Sequence, residues 1–129
     1  MALLGLLPEV ETRVESLLRL ARAFGITVTL TSGFRSPAKQ RALYAAWLRR
    51  GRTGLPVAQP GFSTHEYGLA VDLVTSPPAA VKTLASHAGC FGLIWAGPSD
   101  PVHFDVVGFK LWREWLGADR VTRGPSYNC

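Results

Sequence analysis

Apolar residues recur at helical spacing from Pro8 to Phe24. Val10, Val14, Leu17, Leu18, Ala21 and Phe24 form one stripe, with Glu11, Arg13, Glu15, Arg19 and Arg22 off it. Pro8 suits the first turn and Gly25 the stop, which predicts a packing helix without chemistry of its own. From Ile26 to Ser32 the period changes to two. Ile26, Val28 and Leu30 face one way and Thr27, Thr29 and Thr31 the other, as in a half-buried strand. The turn Ser32-Gly33-Phe34-Arg35-Ser36 leaves Arg35 at the strand end. Ser36 is placed to cap a helix over about 37–50 that Pro37 begins. Leu43, Ala46, Trp47 and Arg50 share one side of it, with Ala42 and Ala45 close by, while Lys39, Arg41 and Arg49 are solvated and Gly51 closes it.

Residues 51–63 hold Gly51, Gly54, Pro56, Pro60 and Gly61, too many breakers for a regular element. So long a connection in a small chain points to a part in shaping a cleft. A strand is expected over 68–74, with His65 at its start. Leu69, Val71 and Leu73 face one side, and Gly68, Ala70 and Asp72 face the other, where small side chains leave space beside Asp72. Ser76 is expected to cap a third helix begun by Pro77 and Pro78, with Val81, Leu84, Ala85 and Ala88 inward. Phe91–Trp95 reads as a further strand. Val102, Phe104 and Val106 then alternate with His103 and Asp105 in a last one. Phe109, Leu111, Trp112, Trp115 and Leu116 suit a closing helix before an extended tail. The fold class is therefore α+β: a small antiparallel sheet with helices packed on its apolar face, its polar face carrying His65, Asp72 and His103. One domain is expected over 1–129, with a core over about 8–117 and a tail at 118–129.

Apolar content of 47% and charged content of 18% exclude a disordered chain. The formal net charge of +5 points to an anionic partner, nucleic acid or an acidic cell-wall polymer. Basic residues are spread along the chain and no nucleic-acid motif appears, which disfavours the first. Cys90 and Cys129 have no framework spacing and are read as a small buried hydrophobe and a loose terminal thiol. The apolar start, Met1 to Pro8, lacks a basic region and a cleavage site and is too short to span a bilayer. The expectation is a protein made in the cytoplasm without a signal peptide.

The chemistry lies in two fragments, Ser63-Thr-His65-Glu-Tyr-Gly68-Leu-Ala70-Val-Asp72 and Asp100-Pro-Val-His103-Phe104. Together they offer two imidazoles and one carboxylate as metal ligands, with a second carboxylate beside them. A catalytic zinc site needs that inventory: three protein ligands, a position for water and a nearby base. The helical zinc motif with histidines four apart is absent, because position 69 is Leu, and Glu66 is not taken as the base. Asp105 shares a face with His103 and fits either a role holding the imidazole tautomer or a solvated strand charge. His87 has no partner pattern and reads as a surface or helix-end residue. Arg35 fits an anion clamp as well as it fits an ordinary surface arginine.

These motifs, in this order over about residues 26–106, resemble the D-alanyl-D-alanine carboxypeptidase and L-alanyl-D-glutamate endopeptidase family of zinc peptidases, which includes phage endolysins. The resemblance implies a hedgehog/DD-peptidase-like fold with one zinc ion on His65, Asp72 and His103. It implies Asp100 as catalytic base and Arg35 as the residue that contacts substrate and stabilises the transition state. Gln40 and Ser63 match family positions that line the substrate cleft, and Trp95 is a cleft-wall candidate. The implied substrate is the peptidoglycan stem peptide, cut as a D,D-carboxypeptidase or as an L-alanyl-D-glutamate or cross-link endopeptidase. A phage lysin, or a virion-associated module with tail or virion partners, is the expected setting, reaching the wall after release or within a particle. The alternative is a zinc-containing structural or peptidoglycan-docking component without turnover. Binding nucleic acid and spanning a membrane are not expected.

Overall fold

The computed structural model describes residues 3–106. The predicted closing helix, the tail and Cys129 lie outside them. Helix α1 runs Pro8–Ala23, β1 Thr27–Ser32, α2 Pro37–Arg49, β2 Ala70–Ser76, α3 Val81–Ala88, β3 Leu93–Trp95 and β4 His103–Val106. The four strands form one sheet in the order β1-β2-β4-β3, and every pair is antiparallel.

Period and burial agree on the apolar face. Val10, Val14, Leu17 and Ala21 of α1 and Leu84 and Ala88 of α3 are buried against Val71, Leu73, Phe104, Leu93 and Val106 of the sheet. Leu6 and Leu69 complete that core. At about 1.5–3 kcal/mol for each fully buried Val, Leu or Phe, this cluster is the main stabilising term. Phe24 departs from the predicted stripe. It is 50% exposed beyond the end of α1, edge-on to His87 on α3.

Helix α2 begins as predicted, with the Ser36 hydroxyl accepting from the Lys39 amide at 3.1 Å. Its packing is different. None of its residues belongs to the core, its buried residue is Gln40, and Ala42 and Arg50 are exposed. The apolar side chains expected inward are only half-covered, because α2 lies against the long 51–63 loop and not on the sheet. Ser76 also departs from expectation: it ends β2 instead of capping a helix, and a 3-10 turn at Pro78–Ala80 leads into α3. Phe91 sits in a 3-10 turn before β3. Cys90 is disulfide-bonded, which corrects the reading of it as an unpaired buried hydrophobe. No helix among the described residues is long and apolar enough to cross a membrane.

Two features of the sheet prepare the site. Asp72 pairs directly with His103, so their side chains leave the sheet on the same face. A register shift between Leu30 and Ser32 sets Ser32 opposite Asp72. Such a bulge re-aims a strand end, and here it turns the chain toward Arg35.

Candidate metal centre

His65 does not start a strand, as its sequence context implied. It sits in a one-turn 3-10 helix, Thr64–Tyr67. The Ser63 hydroxyl accepts from the His65 amide at 3.2 Å, and the Glu66 carboxylate accepts from the amides of Gly61 (2.8 Å) and Ser63 (3.3 Å). This capping box explains why Glu66 faces away from the chemistry. Gly68 closes the turn with φ of 70°, and its carbonyl accepts from the Leu7 amide at 3.2 Å. A Cβ on Gly68 would meet that same amide nitrogen at 3.2 Å, so the small residue makes room for the N-terminal segment. Gly68 and Ala70, the small residues expected to leave space beside Asp72, are both buried.

The hydrogen bonds fix which nitrogen each imidazole presents. Nδ1 of His65 lies 2.8 Å from the Gly33 carbonyl, which can only accept, so Nδ1 carries a proton and Nε2 is the nitrogen turned into the site. Gly33 is confined there: a Cβ on it would stand 2.5 Å from the Leu4 carbonyl oxygen. His103 is turned the other way. Its Nε2–H donates to Asp105 Oδ1 at 3.0 Å, which directs Nδ1 into the site. The Thr64 hydroxyl donates to the same oxygen at 2.5 Å. Asp105 is buried, and this pairing decides between its two sequence readings in favour of holding the imidazole.

Three atoms converge. His65 Nε2 and Asp72 Oδ1 are 3.1 Å apart, His103 Nδ1 and Asp72 Oδ1 3.1 Å, and the two nitrogens 3.2 Å. Ligands at about 2.0–2.1 Å from zinc in tetrahedral array stand about 3.3 Å from one another. The triangle therefore fits one zinc ion, with mixed nitrogen and oxygen donors of the type zinc prefers. Burial pushes the Asp72 carboxyl up, but the hydrogen bonds of His103 and His65 outweigh it and hold the group well below the usual range. For His103 burial disfavours the charge, yet the hydrogen bonds to Asp105 and Asp72 raise its pKa to about 10.

A cleft of about 620 Å³ opens over the three ligands. Leu43 of α2 and Leu55–Ala58 and Phe62 of the long loop form an apolar wall, so the loop does shape the cleft. Asp100, Ser99 and Val102 line the other side. Asp100 lies in the turn before β4, its amide on the Gly97 carbonyl at 3.1 Å and its carbonyl accepting from the His103 amide at 3.1 Å. Burial raises its carboxyl pKa, and the Asp72 carboxylate adds to this against the opposing charge of His103.

Arg35 also lines the cleft, with its guanidinium held by Gln40 Oε1 and Ser32 Oγ, both at 2.9 Å, and 3.7 Å from Asp72 Oδ2. Its amide bonds to the His65 carbonyl at 3.0 Å. Gln40 borders the cleft, but its amide is engaged on both ends, by Arg35 and by the Ala58 carbonyl at 2.7 Å. Ser63 borders the cleft and caps the His65 turn. Trp95 is not among the lining residues. Its indole N–H donates to the Pro101 carbonyl at 2.8 Å and braces the Asp100 turn. Sequence reading missed Thr64, Ser32 and Gly33. Adjacency of Thr64 to His65 was its only signal, and nothing local announced the other two.

The sequence pattern of the VanY family, described as D-alanyl-D-alanine carboxypeptidase, matches residues 4–103. No curated protein matches the chain. Among solved structures, the chain resembles a mutant of the vancomycin resistance D,D-pentapeptidase VanY from a VanB-type resistance cassette, in complex with Zn(II). The TM-score is 0.67 at 23% identity, covering 80% of this chain and 73% of that one. VanYB in complex with D-alanine-D-alanine gives 0.68 at 21%, covering 89% and 84%. DacB from Streptococcus pneumoniae D39 gives 0.68 at 22%, covering 95% and 80%. At such identities the likeness is one of fold.

Proposed function

Because the chain belongs to the VanY family, D-alanyl-D-alanine carboxypeptidase, we propose that it is a zinc metallopeptidase that hydrolyses a peptide bond in the peptidoglycan stem peptide. The observation that carries this reading is the three-atom triangle of His65, Asp72 and His103 facing a cleft that Asp100 and Arg35 also line. Zinc complexed by the VanY relative, and D-alanine-D-alanine bound by VanYB, support the choice of metal and substrate class.

His65 Nε2, His103 Nδ1 and Asp72 Oδ1 would hold the ion, which supplies Lewis acidity and an activated water. The chain's own groups do the rest. Asp100, a carboxyl with its pKa raised by burial, takes the proton of the attacking water and returns it to the leaving amine. Arg35, fixed by Gln40 and Ser32, offers its remaining N–H groups to the negative charge that develops on the substrate carbonyl oxygen. The apolar wall from Leu43 to Phe62 excludes water from the substrate side chains.

The test is cleavage of purified peptidoglycan followed by mass spectrometry of the fragments. Chelation is expected to abolish release of amino acid or peptide and zinc to restore it. The mass released separates D,D-carboxypeptidase action from L-alanyl-D-glutamate or cross-link cleavage. Full activity after rigorous metal removal overturns the metallopeptidase reading, and bound zinc without cleavage leaves a docking component.

A further inference from the structure

Basic residues are spread along this chain, but acidic ones are not. No acidic residue lies between Glu15 and Glu66, and residues 16–65 carry eight Lys or Arg. Five of them, Lys39, Arg41, Arg49, Arg50 and Arg52, belong to α2 and the turn after it, and all five are exposed. None forms a salt bridge among the described residues. Three crowd the C-terminal end of the helix.

A helix C-terminus favours cations in its last turn, which accounts for Arg49 and Arg50. It gives no reason for Arg52. That residue has φ of 61°, a left-handed conformation that glycine or asparagine adopts far more readily. Its amide bonds to the Trp47 carbonyl at 2.9 Å, and its guanidinium carbon stands 5.8 Å from the centre of the Trp47 ring. The side chain is therefore held over an aromatic face, on a backbone that disfavours it. Strain kept at an exposed residue points to a use for its side chain. The same helix also builds the active cleft. Gln40 and Leu43 line it, and the chain after Arg52 returns along that wall as Leu55–Ala58.

We propose that the arginine-rich end of α2 is a docking surface for the peptidoglycan polymer, bound through the carboxylates of stem peptides not being cut. The assignment rests on the peptidase reading above. Charge complementarity and continuity with the cleft select this occupant: a polymer with one stem in the cleft carries further carboxylates past α2. Guanidinium forks match carboxylates bidentately, and a cationic rim concentrates a polyanion at the site.

The experiment compares Arg49→Gln/Arg50→Gln/Arg52→Gln with the parent protein in its zinc-loaded form. Sedimentation with insoluble peptidoglycan, and the rate on it at low salt, are expected to fall about tenfold or more. The rate on a short soluble stem peptide should stay within about twofold, as for surface substitutions away from a site. The triple Lys variant should retain polymer binding, which separates charge from a structural part in the helix end. An unchanged rate on the polymer, or equal losses on polymer and peptide, would overturn the proposal. So would loss of binding when phosphodiester polymers are stripped from the wall with cold hydrofluoric acid, because the carboxylates survive that treatment. If the parent protein cuts no soluble peptide, the peptidase reading fails, whereas the binding arms report on the docking surface directly.

Discussion

Asp105 Oδ1 stands 3.0 Å from Nε2 of His103 and 2.5 Å from the hydroxyl of Thr64, the residue next to His65. One buried carboxylate thus ties the neighbour of one ligand to the ring of the other. It fixes His103 as an Nδ1 donor and strengthens the imidazole's basicity. Replacing Asp105 with Asn or Ala is expected to weaken zinc binding by about 10–100-fold. Competition with a chromophoric chelator measures this directly. Unaltered affinity in both variants would reduce Asp105 to a packing residue.

The metal-free protein should release close to one proton for each zinc bound near neutral pH. With no ion present, His103 has its pKa raised to about 10, so Nδ1 is protonated and must give up that proton to ligate. Calorimetry in buffers of different ionisation heat reads the proton count. The sign for stability follows. A raised His pKa stabilises the fold fully below the ordinary value of 6.5, and that contribution is lost as pH rises through about 10. The depressed pKa of Asp72 contributes stability above the ordinary carboxylate value of 3.8, lost as acid protonates it. Thermal melts of the metal-free protein should therefore weaken towards both ends of the pH range. A melting temperature that climbs steadily from pH 7 to 10 contradicts the His103 assignment.

Asp100→Ala should keep zinc bound, because Asp100 is outside the ligand triangle, while turnover falls by about 10²–10⁴. A base must be ionised to act, so the parent's kcat/KM should drop as pH falls through the pKa of Asp100, which burial raises in the metal-free protein and the charge of bound zinc lowers. Steady-state rates over pH, together with a zinc count on the variant, give both readouts. An active Asp100→Ala protein moves the base elsewhere in the cleft.

Gln40→Ala tests the support of Arg35. The side chain is 1% exposed and bridges Arg35 to the Ala58 carbonyl, so truncation leaves buried polar groups unpaired at a cost of about 1–3 kcal/mol. We expect a lower melting temperature and a lower kcat with zinc affinity retained. Arg35→Lys should show the kcat loss without comparable destabilisation, since an ammonium cannot span Gln40, Ser32 and the substrate. Equal kcat in Gln40→Ala and the parent would show that Arg35 holds its place unaided.

Much of this protein was legible because it is local. Period 3.6 in α1 and period 2 in β1 and β4 named the core face, and Ser36 with Pro37 marked the start of α2. The alternation of Val71 and Leu73 with Asp72 put that carboxylate on the opposite face. What failed was less local. His65 was placed at a strand because Gly68 and the alternation follow it, whereas the Ser63–Glu66 capping box winds the preceding residues into a turn. The family likeness makes Trp95 a cleft-wall candidate, and no sequence pattern foretells the bond of its indole N–H to the Pro101 carbonyl. The Cys90 disulfide had no sequence signature, since two cysteines without framework spacing do not announce pairing.

By itself, then, the sequence determined His65, Asp72 and His103 as a candidate ligand set and named the apolar faces of α1, β1 and β4, since both follow from residue type and backbone period. Only the tertiary structure decided that the two imidazoles meet through Nε2 and Nδ1, 3.2 Å apart across 38 residues of chain. That choice is made by Gly33 and Asp105, which approach from other segments. Hydrogen-bond partners brought together by packing leave no periodic trace along a chain.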